Sequence, residues 1–265
     1  MQLASMFVHP LKSARGIAYS RAFASWQGLL HDREWLLTDE SGCFITARDY
    51  PQLVNIRCTL IPGAILFQAP DFAPIAALAT EFDTPSATSV WKDHFTAYHG
   101  SSQADDWFSR YLGVPCRLLW LGRRSQRKQK TNDQGLSFAD GYPYLLVNQS
   151  SLNELNRQLS QPVTLRHFRP NLVVSGAAPY EEDDWKVVRI GSVIFDVAKP
   201  CTRCTLTTVN PDNGIPSTEG EPLATLIKTR QLPEGICFGI NLVPRNEGIL
   251  QVGDDFEVLE LRYTF

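Results

Sequence analysis

Short apolar runs broken by tight polar punctuation fill this chain, and that rhythm predicts strands far more often than helices. Runs at 34–38 and 43–46 flank Asp39-Glu40-Ser41-Gly42, which reads as a hairpin loop. Runs at 54–60 and 65–67 flank a second turn, Ile61-Pro62-Gly63. Arg189-Ile190-Gly191 turns into a run at 192–197, and Gly253-Asp254 separates 249–252 from 256–261. Helical periodicity is rarer. Ser151 and Glu154 have capping-box spacing, which predicts a helix to about Leu159 with Leu152, Leu155 and Leu159 on one face. A second helix, 104–112, stops at Gly113, and a third, 221–231, gathers Leu223, Leu226 and Ile227 ahead of Pro233. With no βαβ alternation and no internal repeat, the pattern predicts a β-rich α+β protein built from barrels or sandwiches.

Bulk properties narrow the classes. A chain of 265 residues suits one large or two modest domains. A net charge of −3 offers no global electrostatic argument for nucleic acid. The N-terminus has no basic segment leading into a long apolar core, so no secretory signal is expected. Nothing approaches the roughly 18 consecutive apolar residues of a spanning helix, so no membrane partner is expected. Six cysteines in a chain this long suit a reducing compartment better than a disulfide scaffold, with the bacterial cytoplasm as the expected location. The stretch 122–135 carries five cations and no apolar side chain until its end. It reads as a solvated loop, or as a flap that attracts an anionic ligand or docks an acidic electron donor. The Pro/Ala-rich 70–85 reads as a surface excursion.

The chemistry concentrates at 199–214, Lys-Pro-Cys-Thr-Arg-Cys-Thr-Leu-Thr-Thr-Val-Asn-Pro-Asp-Asn-Gly. Cys201 and Cys204 sit three positions apart around Arg203, between a β-like run at 192–197 and another expected at 205–209. A neighbouring cation favours the thiolate, and a thiolate is the ligand that soft metal centres prefer. A structural zinc site would need four ligands, yet Cys43, Cys58, Cys116 and Cys237 are scattered singly. His9, His31, His94, His99 and His167 form no ligand set either. A thioredoxin-type dithiol should open a helix, whereas Thr-Leu-Thr-Thr-Val argues for extended chain. Two buried, inert cysteines remain the bland alternative.

Further motifs accompany this corner in order: His-Pro-Leu-Lys-Ser at 9–13, Asp-Arg-Glu-Trp-Leu-Leu at 32–37, Phe-Ile-Thr-Ala-Arg-Asp-Tyr-Pro-Gln-Leu at 44–53, Phe-Arg-Pro-Asn-Leu-Val-Val-Ser-Gly at 168–176 and Phe-Gly-Ile-Asn-Leu-Val-Pro-Arg at 238–245. Over nearly its whole length the chain resembles MOSC proteins, the molybdenum-cofactor sulfurase C-terminal domain family. It is most similar to the amidoxime-reducing branch with an added N-terminal β-barrel. The resemblance implies an N-terminal β-barrel domain over 1–100 and a MOSC β-barrel with a few peripheral helices over 101–265, with chain crossing between them.

It also implies a molybdenum-cofactor-binding oxidoreductase that reduces hydroxylamines, amidoximes or N-hydroxylated bases in a detoxifying role. Without a C-x4-C-x2-C run or a Gly-x-Gly-x-x-Gly loop, electrons would come from a separate ferredoxin- or flavoprotein-type donor. By the same resemblance Cys204 is the metal ligand, with Cys201 a neighbour of open role. Lys12 with Ser13, and Arg33, would hold the cofactor's phosphate. Arg169 and Asn171 would contact the pterin, and Thr202 and Arg203 would belong to the cofactor site. Asp140, followed by Gly141-Tyr142, would be a proton donor beside the metal. On its residues alone, Arg169 would equally pair with one of the acids at 181–184, and Asp140 would equally be an exposed turn aspartate. A rival class is a carrier of the cofactor or of a persulfide, without turnover of its own. Pyridoxal phosphate is a weaker option, because no lysine has a Schiff-base context.

Overall fold

A computed structural model of the chain describes residues 1–130 and 132–262. The architecture is β-rich α+β, as the run pattern predicted. Its largest sheet follows the order Phe256–Leu261, Trp185–Ile190, Val193–Thr202, Gly235–Pro244, Tyr144–Asn148, Leu172–Ser175, Gln2–Val8, Ile17–Tyr19. The amide of Leu3 donates to Asp254 O at 2.9 Å and that of Phe256 to Met1 O at 3.0 Å. These bonds join the first long strand to the last and curl the path back on itself like a barrel, leaving Ile17–Tyr19 at its edge. Alternation fills the interior: Val193, Phe195 and Val197 point inward from one strand, against Tyr144, Trp185, Ile240 and Leu242. Gly239 has φ 73°, and a Cβ there would lie 2.6 Å from Leu146 O, so only glycine permits that close strand approach.

The N-terminal part supplies smaller sheets. One runs Trp35–Thr38, Arg117–Trp120, Asp93–His99, Thr84–Val90, and another Arg57–Ile61, Ala64–Gln68, Ile75–Leu78. They pack around Trp35, Phe67, Phe82, Trp107 and Phe108, where Trp35 meets Phe82 edge-on at 4.8 Å. The two halves are interlocked. Strand Gln2–Val8 pairs with Leu172–Ser175 inside the large sheet, and Gly248–Gln251 pairs with Arg21–Ser25.

Several local expectations change. The segment expected as a strand over 205–209 is a 3-10 turn, Thr205–Thr208. There Thr207 Oγ1 donates to Cys204 O at 2.9 Å and Thr208 Oγ1 to Thr205 O at 2.8 Å, so hydroxyls satisfy carbonyls that a ladder would otherwise need. The helix expected from Ser151 is Gln149–Asn156, capped by Asn148, whose Oδ1 accepts from Ser150 N at 3.0 Å. Ser151 is committed instead to the buried Glu182, at 2.7 Å. Ile227 of helix Leu223–Thr229 faces solvent, and 43–46 makes only isolated bridges and not a strand. The 70–85 stretch is no mere excursion, since it contains strand Ile75–Leu78 and buries Ala77 and Phe82. The helix Ser102–Leu112 ends as expected at Gly113, φ 75°.

Candidate functional site

A cavity of about 530 Å³ lies where the two halves meet. Its walls come from segments far apart in sequence. The chain leaving strand Gln2–Val8 is stitched in place by backbone bonds, Lys12 N to Trp35 O at 2.9 Å and Arg33 N to His9 O at 2.8 Å. These bring Lys12, Ser13 and Arg33 to one wall. The short helix Leu165–Phe168 stops at Arg169 in the left-handed region, and Arg169 and Asn171 join the lining beside the segment of Ser13 and Arg33. Strand Val193–Thr202 shifts register between Val197 and Lys199 and again between Pro200 and Thr202. Such irregularities re-aim side chains, and here they deliver Cys201, Thr202, Arg203 and Cys204 to the cavity. The loop 139–142 and the tip of the hairpin between Thr84–Val90 and Asp93–His99 complete the lining.

All nine residues singled out from sequence line this one cavity: Lys12, Ser13, Arg33, Asp140, Arg169, Asn171, Thr202, Arg203 and Cys204. Four lining residues, Ser13, Arg33, Trp91 and Arg169, adopt φ of 71°, 53°, 58° and 55°. Left-handed backbone is unfavourable for such side chains and collects at functional sites. Seven cations (Lys12, Arg33, Arg48, Lys130, Arg169, Lys199, Arg203) face one carboxylate, Asp140, in a protein whose net charge is negative. A concave surface of one sign focuses its field on a ligand of the other.

Each charge has a definite setting. The Lys12 ammonium donates to Asp140 Oδ1 at 2.6 Å and to Phe138 O at 2.9 Å. Burial pulls its pKa below the usual lysine value, against the opposing pull of Asp140. Burial would raise the Asp140 carboxyl. The Lys12 charge and hydrogen bond, the Trp91 indole N–H at 3.0 Å and Arg33 outweigh it and hold Asp140 well below the usual carboxylate range. Asp140 is therefore an exposed loop aspartate, its side chain 73% accessible, as its residues alone allowed, but it is ion-paired with Lys12 and ionised at rest. Arg33 pairs with the buried Asp32 and donates to Asn171 Oδ1 at 3.2 Å and Arg169 O at 3.3 Å. Asn171 also donates to Phe7 O at 3.2 Å, so its amide ties the walls together.

Arg169 makes no salt bridge with the acids at 181–184; Arg230 takes Asp183 instead, at 2.5 Å. Arg169 Nη1 donates to Ala14 O at 2.7 Å, while burial and then Arg33 push its pKa down to about 9. Its Nη2 is buried without an acceptor among the described residues. Arg203 donates from Nη1 to Cys201 Sγ at 3.2 Å and from Nη2 to Phe168 O at 2.6 Å, and its Nε is likewise buried and unpartnered. The recorded cation–sulfur contact therefore belongs to Cys201. Cys204 precedes the 3-10 turn in extended conformation and is exposed.

Reasoning from sequence missed several participants. The 122–135 stretch is not uniformly solvated: Arg127 is buried, pairs with Asp93 at 2.7 Å, and donates to the carbonyls of Ser137, Ala139 and Asp140 beneath the Asp140 loop. Trp91 and Arg48 line the cavity, as do Tyr142 and Lys199, whose ammonium lies 5.9 Å from the Tyr142 ring. His167 is also a lining residue, whereas His31 stands outside and pairs with Glu34. No local signal marked Arg127 off from the cations around it, whereas Arg48 lay within the quoted 44–53 motif.

Among the described residues no cluster of three or more His, Cys, Asp or Glu side chains is placed to hold a metal ion. A metal here would owe most of its ligands to an organic group. Buried guanidinium nitrogens without acceptors, beside an exposed thiol, form a donor set suited to an anion-bearing ligand that carries a soft metal. No helix is long and apolar enough to cross a membrane among those residues.

A family model described as the MOSC N-terminal beta barrel domain matches residues 1–115, and one described as the MOSC domain matches 133–257. The chain is 34% identical to mitochondrial amidoxime-reducing component 1 of Mus musculus, over 97% of this chain and 82% of the relative. It is 32% identical to the Homo sapiens protein of the same name, with the same coverage. It is 31% identical to molybdenum cofactor sulfurase of Oryza sativa, over 91% of this chain but only 32% of that longer protein.

Proposed function

The chain belongs to the MOSC family, and from that premise we propose that it binds the molybdenum cofactor and reduces N-hydroxylated compounds with electrons from a separate protein. The observation that carries the reading is the convergence of Cys204 with the anion-binding set Lys12, Ser13, Arg33, Arg169 and Arg203 in one cavity. A point-charge ammonium beside forked guanidinium groups suits a phosphomonoester. The unpartnered nitrogens of Arg169 and Arg203 are the donors that an anionic group would satisfy. Thr202 and Asn171 complete the wall behind it. Cys204 would ligate the metal. The bound group supplies the two-electron chemistry, in which R–NHOH takes two electrons and two protons to give R–NH2 and water.

This chain's own part is binding and orientation. The proton-donor role expected of Asp140 does not fit its setting, because its ion pair with Lys12 holds the carboxylate ionised well below the usual range; its part is to fix the Lys12 ammonium at the cavity. Trp91 fixes its orientation through the indole N–H. The electron donor would be a ferredoxin- or flavoprotein-type partner. Six free thiols favour a reducing compartment such as the cytoplasm. Division into an N-terminal barrel domain to about residue 100 and a MOSC domain beyond it is part of the same proposal.

A carrier without turnover is the second reading, favoured by the exposed Cys204 thiol and by the likeness to the sulfurase. One experiment separates them. Protein from a molybdenum-replete, cofactor-competent host is analysed for metal by native mass, reduced chemically, and offered a hydroxylamine or amidoxime. Bound cofactor with formation of the amine or amidine supports the reductase. Bound cofactor with no oxygen removal supports the cofactor carrier, and folded protein without cofactor removes the reductase and the cofactor carrier and leaves only a persulfide carrier.

A further inference from the structure

Part of the cavity lining lies outside the residues assigned to the cofactor, and its chemistry is uneven. Trp91, at a hairpin tip with φ 58°, is 51% exposed despite its size. It is held there by its hydrogen bond to Asp140, by the edge of Phe44 at 5.3 Å, and by the Arg48 guanidinium 4.4 Å from its ring centroid. An exposed indole in a strained backbone conformation, braced from several sides, is a built feature. Arg48 donates through Nε to Thr46 Oγ1 at 3.2 Å, and Thr46 is itself buried. That bond fixes the guanidinium while its terminal nitrogens have no carboxylate partner among the described residues.

We propose that Arg48, oriented over Trp91, is the residue that selects substrates carrying an oxyanion, a carboxylate or phosphate on the same molecule as the reducible N–OH group. The inference rests on the reductase reading for the N–OH half only. Three features point to an anion at this spot. The guanidinium fork is pre-oriented by Thr46 and the indole, so little freedom is lost on binding. The nearest carboxylate on the lining, Asp140, is occupied by Lys12 and Trp91. Lys199, over Tyr142, adds a second cation outside the cofactor set, so the vestibule retains positive charge once the cofactor's anion is neutralised.

The test titrates three probes into loaded, oxidised protein without reductant: benzamidoxime, its 4-carboxylate, and its 4-phosphate ester. Calorimetry should show at least about tenfold tighter binding of an anionic probe than of the neutral one, the size of one charge-assisted contact. In Arg48→Ala that ratio should collapse to within about twofold, and Arg48→Lys should retain part of it. Preference for both anions marks a general oxyanion site, and preference for the phosphate alone marks phosphate esters as the class. No preference in the parent protein, no binding of any probe, or a ratio that survives Arg48→Ala overturns the proposal. Loss of cofactor from Arg48→Ala also overturns it, because Arg48 would then belong to the cofactor set. Adding reductant afterwards tests the other reading separately: selective binding without reduction leaves oxyanion selection standing and removes the reductase.

Discussion

Arg127 offers the sharpest check on how the site is held. Its side chain is 2% exposed, with Nε and Nη2 at 2.9 and 2.7 Å from Asp93 Oδ2. It also donates to Ser137 O at 3.0 Å, to Ala139 O, and to Asp140 O at 3.1 Å. Replacing it with Met keeps the apolar stem but strands three carbonyls and one carboxylate. Removing one partner of a buried pair costs roughly 3–5 kcal/mol. Asp93 is 28% exposed and regains some water, so the lower end applies, about 3 kcal/mol. For a chain of this size that corresponds to a fall in Tm of roughly 6–10 °C. Urea unfolding of Arg127→Met against the parent protein measures it, with Arg123→Ala and Arg124→Ala as controls. Both controls are exposed residues of the same basic stretch and should stay within about 0.5 kcal/mol. A double-mutant cycle with Asp93→Asn should show strong coupling. If Arg127→Met loses less than about 1 kcal/mol, or no more than the controls, the claim that this cation anchors the Asp140 loop is wrong.

The cysteine pair separates by role. Cys204→Ala should abolish N–OH reduction while retaining at least part of the organic cofactor. Cys201→Ala, which loses the contacts of its sulfur to Arg203 and to Thr202 O, should cost about 1 kcal/mol and leave most turnover; a persulfide relay predicts that either change is fatal. His9 gives a pH test with a definite sign. Burial, then Arg169 and Arg33, push its pKa well below 6.5, so the folded state stays neutral where the unfolded chain protonates. The stability it contributes is complete above about pH 6.5 and falls as pH drops below that, at up to about 1.4 kcal/mol per unit. His9→Gln should flatten that limb in urea unfolding between pH 6.5 and 5, and an unaltered slope refutes the reading.

Much here was legible before any coordinate. Period-two runs and turn residues announce a β-rich protein because alternation and φ preferences are local properties. Gly113 ends its helix for the same reason. The Cys-Thr-Arg-Cys corner stood out by its residue types, whereas Lys12, Arg33 and Arg169 were named only through the resemblance of their motifs to MOSC proteins, since a lone cation carries no such signal. Tertiary structure decided the rest. Whether Thr205–Thr208 is strand or turn depended on which groups satisfied its carbonyls, and Ser151 lost its expected cap to a buried Glu182. The five cations of 122–135 read alike, yet the fold buries Arg127 beneath Asp140 and leaves Arg123 and Arg124 exposed. Arg203 turned to Cys201, leaving Cys204 open. The pairings at Ser13, Arg33, Trp91 and Arg169, all left-handed positions, join segments from 49 to 156 residues apart in sequence. No local pattern encodes such contacts, because their energy exists only once both partners have left water together.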